Sequence, residues 1–360
     1  MKKIILIIIC SFMLCGCSDY IEINDLAILT GIAIDYKDEL YDVTAQLIIN
    51  EKDSDVVVYN SKSKSIEEAI AEISKLCNKE VFLPDLKTLI ITKNIIANDI
   101  NYYDYFLRSS QSKMNFYVYL ADSEKISDIL SIYDDKYGSS LYADKMMKFN
   151  NKIFSSSTPL DFITLVKTIV NDNIDAAYPV ITIKENNGEK SLYLEDLVIF
   201  DKDKNTIKLS EDESIFYNIL TNNARGTVLT IPCDEEYFAI NINDVNTKFN
   251  YKKDTFYINV NSSGKIYSYT CKYDVSETSG IEKLNNISKE YIYNQINDLV
   301  KLNIKNKVDF LGIRDYMYKH NYKEFNDFDI NKTKIVINVN SSIGSFGESR
   351  KKLGELNHES

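Results

Sequence analysis

The chain has 360 residues, 44% of them apolar, with only 11 Gly and 4 Pro. That composition builds packed cores and excludes disordered, collagen-like and Pro-rich low-complexity chains as well as polytopic membrane proteins. The 42 basic and 53 acidic side chains give a formal charge of −11, which argues against a nucleic-acid binder with a broad basic face. Two His residues leave little for His-based triads or multi-His metal sites, so neither an enzyme nor a bound cofactor is expected.

In chain order, Met1-Lys2-Lys3 is a short basic segment, and an apolar run broken only by Ser11 follows it to Leu14. A helical bilayer span needs about 20 apolar residues. The run is shorter than that and has the length of a secretory signal core. It ends in Leu14-Cys15-Gly16-Cys17, which resembles the bacterial lipobox, with Cys15 where Ala or Ser is more usual. The lipobox reading makes 1–16 a signal peptide and Cys17 the site of a diacylglyceryl anchor, because the Cys thiol carries the lipid. Each buried CH₂ contributes about 0.8 kcal/mol, so two acyl chains anchor stably. Cleavage before Cys17 removes Lys2 and Lys3 and leaves a more acidic body, expected to stand off an anionic leaflet. Of the later cysteines, Cys77 reads as a small core residue, and Cys233 and Cys271 either pair or stay as thiols. No Cys-x-x-Cys occurs, against a zinc or thioredoxin-type site.

Segments 31–35 and 42–49 read as a hairpin, with further β character at 56–59. A helix capped by Ser63 or Ser65 follows, its stripe being Ile66, Ala69, Ile70, Ile73 and Leu76. Strands are expected at 86–92 and 115–120, and helices at 102–107 and 124–132. A further helix is expected from Pro159, with Leu160, Ile163, Leu165, Val166 and Ile169 facing a core. After a turn at 186–189 the strand candidates crowd together: 192–200, 206–209, 227–232, 236–242, 245–250, 254–260 and 265–274, with Asn261 to Gly264 read as a turn. The strongest helix spans 281–304, a shorter one 309–320, and an alternating strand closes at 334–340. Without a regular βαβ beat, the fold class is α+β, several small mixed α/β domains with mainly antiparallel or mixed sheets. The expected domains are 17–187, divisible into two subdomains, and 188–347, followed by a polar tail at 348–360.

Segment Glu22 to Asp35 is similar to the motif E-L-x-D-L-A-I-V-x-G-x-G-I-D of the Ger(x)C family, the lipoprotein C subunits of spore nutrient-germinant receptors. Ser65 to Ala69, Leu86 to Thr92, Phe106 to Ser109 with Phe116 to Tyr119, and Leu197 to Phe200 resemble later segments of that family in order. Val308-Asp309-Phe310-Leu311-Gly312-Ile313 resembles its D-[VI]-F-G-[FIL]-G, and Phe325 stands where the family has Trp. Ile335 to Gly344 resembles the closing strand. The resemblance implies a non-catalytic subunit, anchored by lipid to the outer face of the spore inner membrane and assembled with two polytopic subunits, A and B. Only Cys17 carries over as a functional residue.

Blander readings fit the other candidates. Asp201, Asp203, Glu211, Asp212 and Glu213 lack EF-hand spacing and read as a solvated loop. Ser61 to Ser65 reads as a polar linker and cap, and Asp309 as a structural contact closing the long helix. A solute-binding lipoprotein of a transporter shares the lipobox, charge and size, and would show two parallel α/β lobes around a cleft. A surface hydrolase lacks Gly-x-Ser-x-Gly and His-Glu-x-x-His.

Overall fold

The computed structural model describes residues 22–49, 55–98, 101–122, 126–133, 138–273, 275 and 277–344. The signal peptide 1–16, with Leu14, Cys15 and Gly16 of the lipobox, the lipid-site Cys17 and the tail 348–360 lie outside the described residues.

Strands β1 (Leu26–Lys37) and β2 (Leu40–Ile48) form the expected hairpin. Asp38 and Glu39 occupy the left-handed region at φ 53° and 62°, the geometry of a two-residue turn that matches strand twist. Strand β3 (Val56–Ser63) adds antiparallel to β2. Helix α1 (Ile66–Cys77) starts at Ser65, whose Oγ accepts from the Glu68 N–H at 3.1 Å. Its apolar stripe buries Ile66, Ala69, Ile70 and Ile73. Strands β4 (Glu80–Phe82) and β5 (Thr88–Ile91) lie parallel to β1. Beyond β5 come β6 (Tyr117–Ala121) and β7 (Ala176–Asn186), both parallel, then β8 (Glu189–Phe200) and β9 (Thr206–Lys208), both antiparallel.

These nine strands make one mixed sheet in the order β3-β2-β1-β5-β6-β7-β8-β9, with β4 on β1. The division at 187/188 falls at the tip of its β7–β8 hairpin. Helices α2 (Lys93–Ala97), α3 (Tyr103–Arg108), α4 (Ile126–Ser131), α5 (Gly138–Ile153) and α6 (Phe162–Ile169) complete this half of the chain. Successive β1 residues feed opposite faces, as period two requires. Ile32 and Ile34 join one core with Phe106 and Phe162, and Ala33 joins the other with Tyr119 and Leu130.

The second sheet has the order β10 (Thr227–Cys233), β11 (Glu236–Lys252), β12 (Thr255–Tyr269) and β13 (Lys334–Gly344), with β13 parallel to β12. Helix α7 (Glu211–Leu220) and the long helix α8 (Thr278–Lys305) contribute to its core, α8 through Leu284, Ile292, Ile296, Leu299 and Val300. Helices α9 (Ile313–His320) and α10 (Tyr322–Phe325) precede β13. Two mixed or largely antiparallel sheets confirm the α+β expectation and are not the paired parallel lobes of a solute-binding protein.

Three local expectations are corrected. Segments 236–242 and 245–250 are one strand, β11, and Asn261 to Gly264 lies inside β12 rather than forming a turn. The turn is at Lys253 and Asp254, both left-handed at φ 50° and 56°. Helix α6 starts at Phe162, after Asp161, whose Oδ1 accepts from the Thr164 N–H at 2.9 Å. Residues before it are drawn out by β6, since Val118 N–H donates to the Leu160 carbonyl and Phe162 N–H to that of Phe116. Apart from these corrections, the pairing of Cys233 and Cys271, left open by the sequence, is a disulfide with Cα atoms 6.1 Å apart.

Candidate functional site at the seam between the two sheets

The acidic residues that suggested a metal loop are used locally. Both carboxylate oxygens of Asp201 accept from Asn205, from its N–H at 2.7 Å and its side-chain amide at 2.8 Å. Glu211, Asp212 and Glu213 form the first turn of α7, where Ser210 and Glu213 bond reciprocally. This is a capping box whose acids also complement the helix dipole. Among the described residues, no group of three or more His, Cys, Asp or Glu is arranged to hold a metal ion. Of the polar stretch 61–65, Ser65 is the cap and Ser61 to Ser63 end β3.

One concentration of buried polar chemistry lies where the two sheets meet. On one side of the seam, fully buried Asn218 of α7 donates its side-chain amide to the carbonyls of Ser155 at 2.8 Å and Ser157 at 3.2 Å. Asn151 donates to the Asn223 carbonyl at 2.7 Å, and Ser155 Oγ to that of Gly226 at 2.8 Å. Gly226 is required there, since a Cβ would collide with the Lys152 carbonyl.

On the other side, Asp175, just before β7, meets Asp309 between α8 and α9. The Asp309 N–H donates to Asp175 Oδ2 at 2.6 Å, and the Asp175 N–H donates to the Asp309 carbonyl at 3.0 Å. Asp309 Oδ1 accepts from the Ile313 N–H at 3.0 Å and Oδ2 from the Arg314 N–H, so Asp309 caps α9. Gly312 supplies the left-handed residue this loop needs, at φ 73°. Asn171 extends the contact by donating to Asp315 Oδ1 at 2.7 Å. A cleft of about 350 Å³ opens beside the pair. Burial pushes the Asp309 carboxyl up to about 6; the Arg314 and Ile313 N–H groups hold it back and neighbouring Asp175 adds to the rise. Burial raises Asp175 as well, against the Asp309 N–H and nearby Lys202.

Asp309 was legible in the sequence as a contact closing the long helix. Asp175 was not, because its partner lies 134 positions away and nothing local marks it. Asp35 was legible only as the end of a motif. It is 4% exposed and accepts from the Tyr36 N–H at 2.9 Å, the Asn94 side chain at 3.2 Å and the Thr92 hydroxyl, with Lys37 paired at 2.7 Å. A lone acid in an apolar strand was its available signal.

Comparison with known proteins places these features in a family. The family model "Spore germination protein N-terminal domain" matches residues 19–183, and "Spore germination B3/ GerAC like, C-terminal" matches 195–347. Spore germination protein A3 of Bacillus subtilis (strain 168) is 22% identical over 261 residues, covering 68% of this chain and 67% of its own. A second relative in that strain, YfkR, is 22% identical over 342 residues, covering 87% of this chain and 86% of its own. The crystal structure of the GerBC protein shares the fold, with a TM-score of 0.53 at 15% identity over 88% of this chain and 97% of that one.

Proposed function

The chain belongs to the spore germination family defined by these GerAC-like N- and C-terminal domains, and from that premise we propose that it is a lipid-anchored, non-catalytic subunit of a spore nutrient-germinant receptor. In this reading Cys17 carries the diacylglyceryl anchor, and the body stands on the outer face of the spore inner membrane. There it assembles with two polytopic subunits, A and B. The observation that carries the reading is the pair of family matches, which lie end to end and take in most of the chain.

Two features support the membrane side of the proposal. The nine positions from Cys17 to Leu26, at most about 3.5 Å each, keep the start of β1 within about 30 Å of the bilayer. The buried Cys233–Cys271 disulfide supports a compartment outside the reducing cytoplasm.

Metabolic labelling tests the anchor. Radiolabelled palmitate should enter the wild-type chain and not Cys17→Ala. Label in the variant, or none in the wild-type chain, would refute lipidation at Cys17.

A further inference from the structure

Asp175 and Asp309 bring two carboxyl groups, one from each half of the chain, into a buried contact. They are 8% and 5% exposed. Three of their four carboxylate oxygens accept backbone N–H groups, whereas Asp175 Oδ1 is buried without a hydrogen-bond partner. A charged oxygen in that position is costly, and a second ionised carboxyl beside it adds repulsion. The charged groups facing the pair around the cleft are Asp172, Asp201, Asp203, Lys202, Lys307 and Arg314. Lys202 and Arg314 partly offset the charge on Asp175, and burial outweighs them. Lys202 donates to the Asn171 carbonyl at 2.8 Å, and Arg314 lies over the Phe325 ring. Among the described residues, no cation comes within ion-pair distance of either carboxyl of the pair. The other side of the seam, by contrast, is held by the amide of Asn218 and the hydroxyl of Ser155, which do not titrate.

We propose that the Asp175–Asp309 contact is a proton-operated latch between the nine-stranded and four-stranded sheets, closed while the pair keeps a proton and loosened when both carboxyls ionise. The sign follows from the direction in which burial moves both groups. Each binds its proton more tightly in the closed seam than in water, so protonation favours closure. That contribution is present at acid pH and is lost as pH rises through about 6. The proton leaves to solvent through the cleft, and the Asn218 side acts as the hinge.

Hydrogen–deuterium exchange of the full chain tests this. Peptides covering 171–178 and 309–317 are followed at about pH 5 and about pH 7.5, with rates corrected for intrinsic exchange. The latch predicts that the opening constant of these peptides rises about tenfold between the two pH values, from the proton linkage of the single raised carboxyl. Peptides around Asn218 should change little. Asp309→Asn, which removes the titrating carboxyl, should flatten the response, and Asp175→Asn, which removes only its acidic neighbour, should reduce it. Exchange at the wild-type seam that ignores pH overturns the proposal whether or not either variant folds. An equal loosening around Asn218, or an undiminished response in Asp309→Asn, overturns it as well.

Discussion

Asp35 and Asp309 are buried carboxyl groups with opposite electrostatic characters, and the difference lies in their partners. At Asp35 burial works to raise the pKa, but bonds from Lys37, Thr92 and the Tyr36 N–H outweigh it and hold the carboxyl below its ordinary value. Its contribution to stability is therefore present above the ordinary carboxylate range and is lost as pH falls through the lowered value. At Asp309 burial prevails over two backbone bonds, and stability is favoured on the acid side. Asp35→Ala would strand the Thr92 and Asn94 donors. We expect a loss of about 2 kcal/mol in urea denaturation at neutral pH. A change below about 0.5 kcal/mol, the scale of an ordinary surface substitution, would contradict this account.

At the scale of elements, the disulfide joins the end of β10 to the residues following β12, across 38 positions. Closing such a loop restricts the unfolded chain, so Cys233→Ala with Cys271→Ala should cost about 3 kcal/mol, read from the denaturant midpoint. An unchanged midpoint would show that the pair adds nothing. The longest helix was legible: α8 was expected at 281–304 and spans Thr278–Lys305, because a stripe of Leu284, Ile292, Ile296 and Leu299 repeats at helical spacing. Helices α5 and α7 were not foreseen, and the first turn of α7 was read as a loop. The long strands were less legible. Asn, Ser and Gly at 261–264 carry turn chemistry, yet these residues pair with β11 on one side and β13 on the other. Pairing on both edges overrode local preference. The start of α6 was displaced for a similar reason, since residues 160–162 bond to β6 before the helix begins.

At the scale of the whole molecule, composition and the mixing of strands with helices were enough for α+β, and the ordered motifs were enough for the family. The seam was not legible, because it depends on contacts between residues far apart in the chain. Asp175 with Asp309 and Asn218 with Ser155 each join the two halves, and neither pairing has a local signature. The sheet that runs through the β7–β8 hairpin likewise depends on tertiary pairing. The proposed role of this body is assembly beside membrane-embedded partners, a reading supported by the family matches. The most direct test of that central claim is affinity purification of the tagged chain from detergent-solubilised inner membranes of spores. The account predicts that two polytopic membrane proteins copurify with it in fixed ratio and that deleting the chain abolishes the nutrient response they mediate. Purification of the chain free of any polytopic partner, with germination intact in the deletion strain, would contradict it.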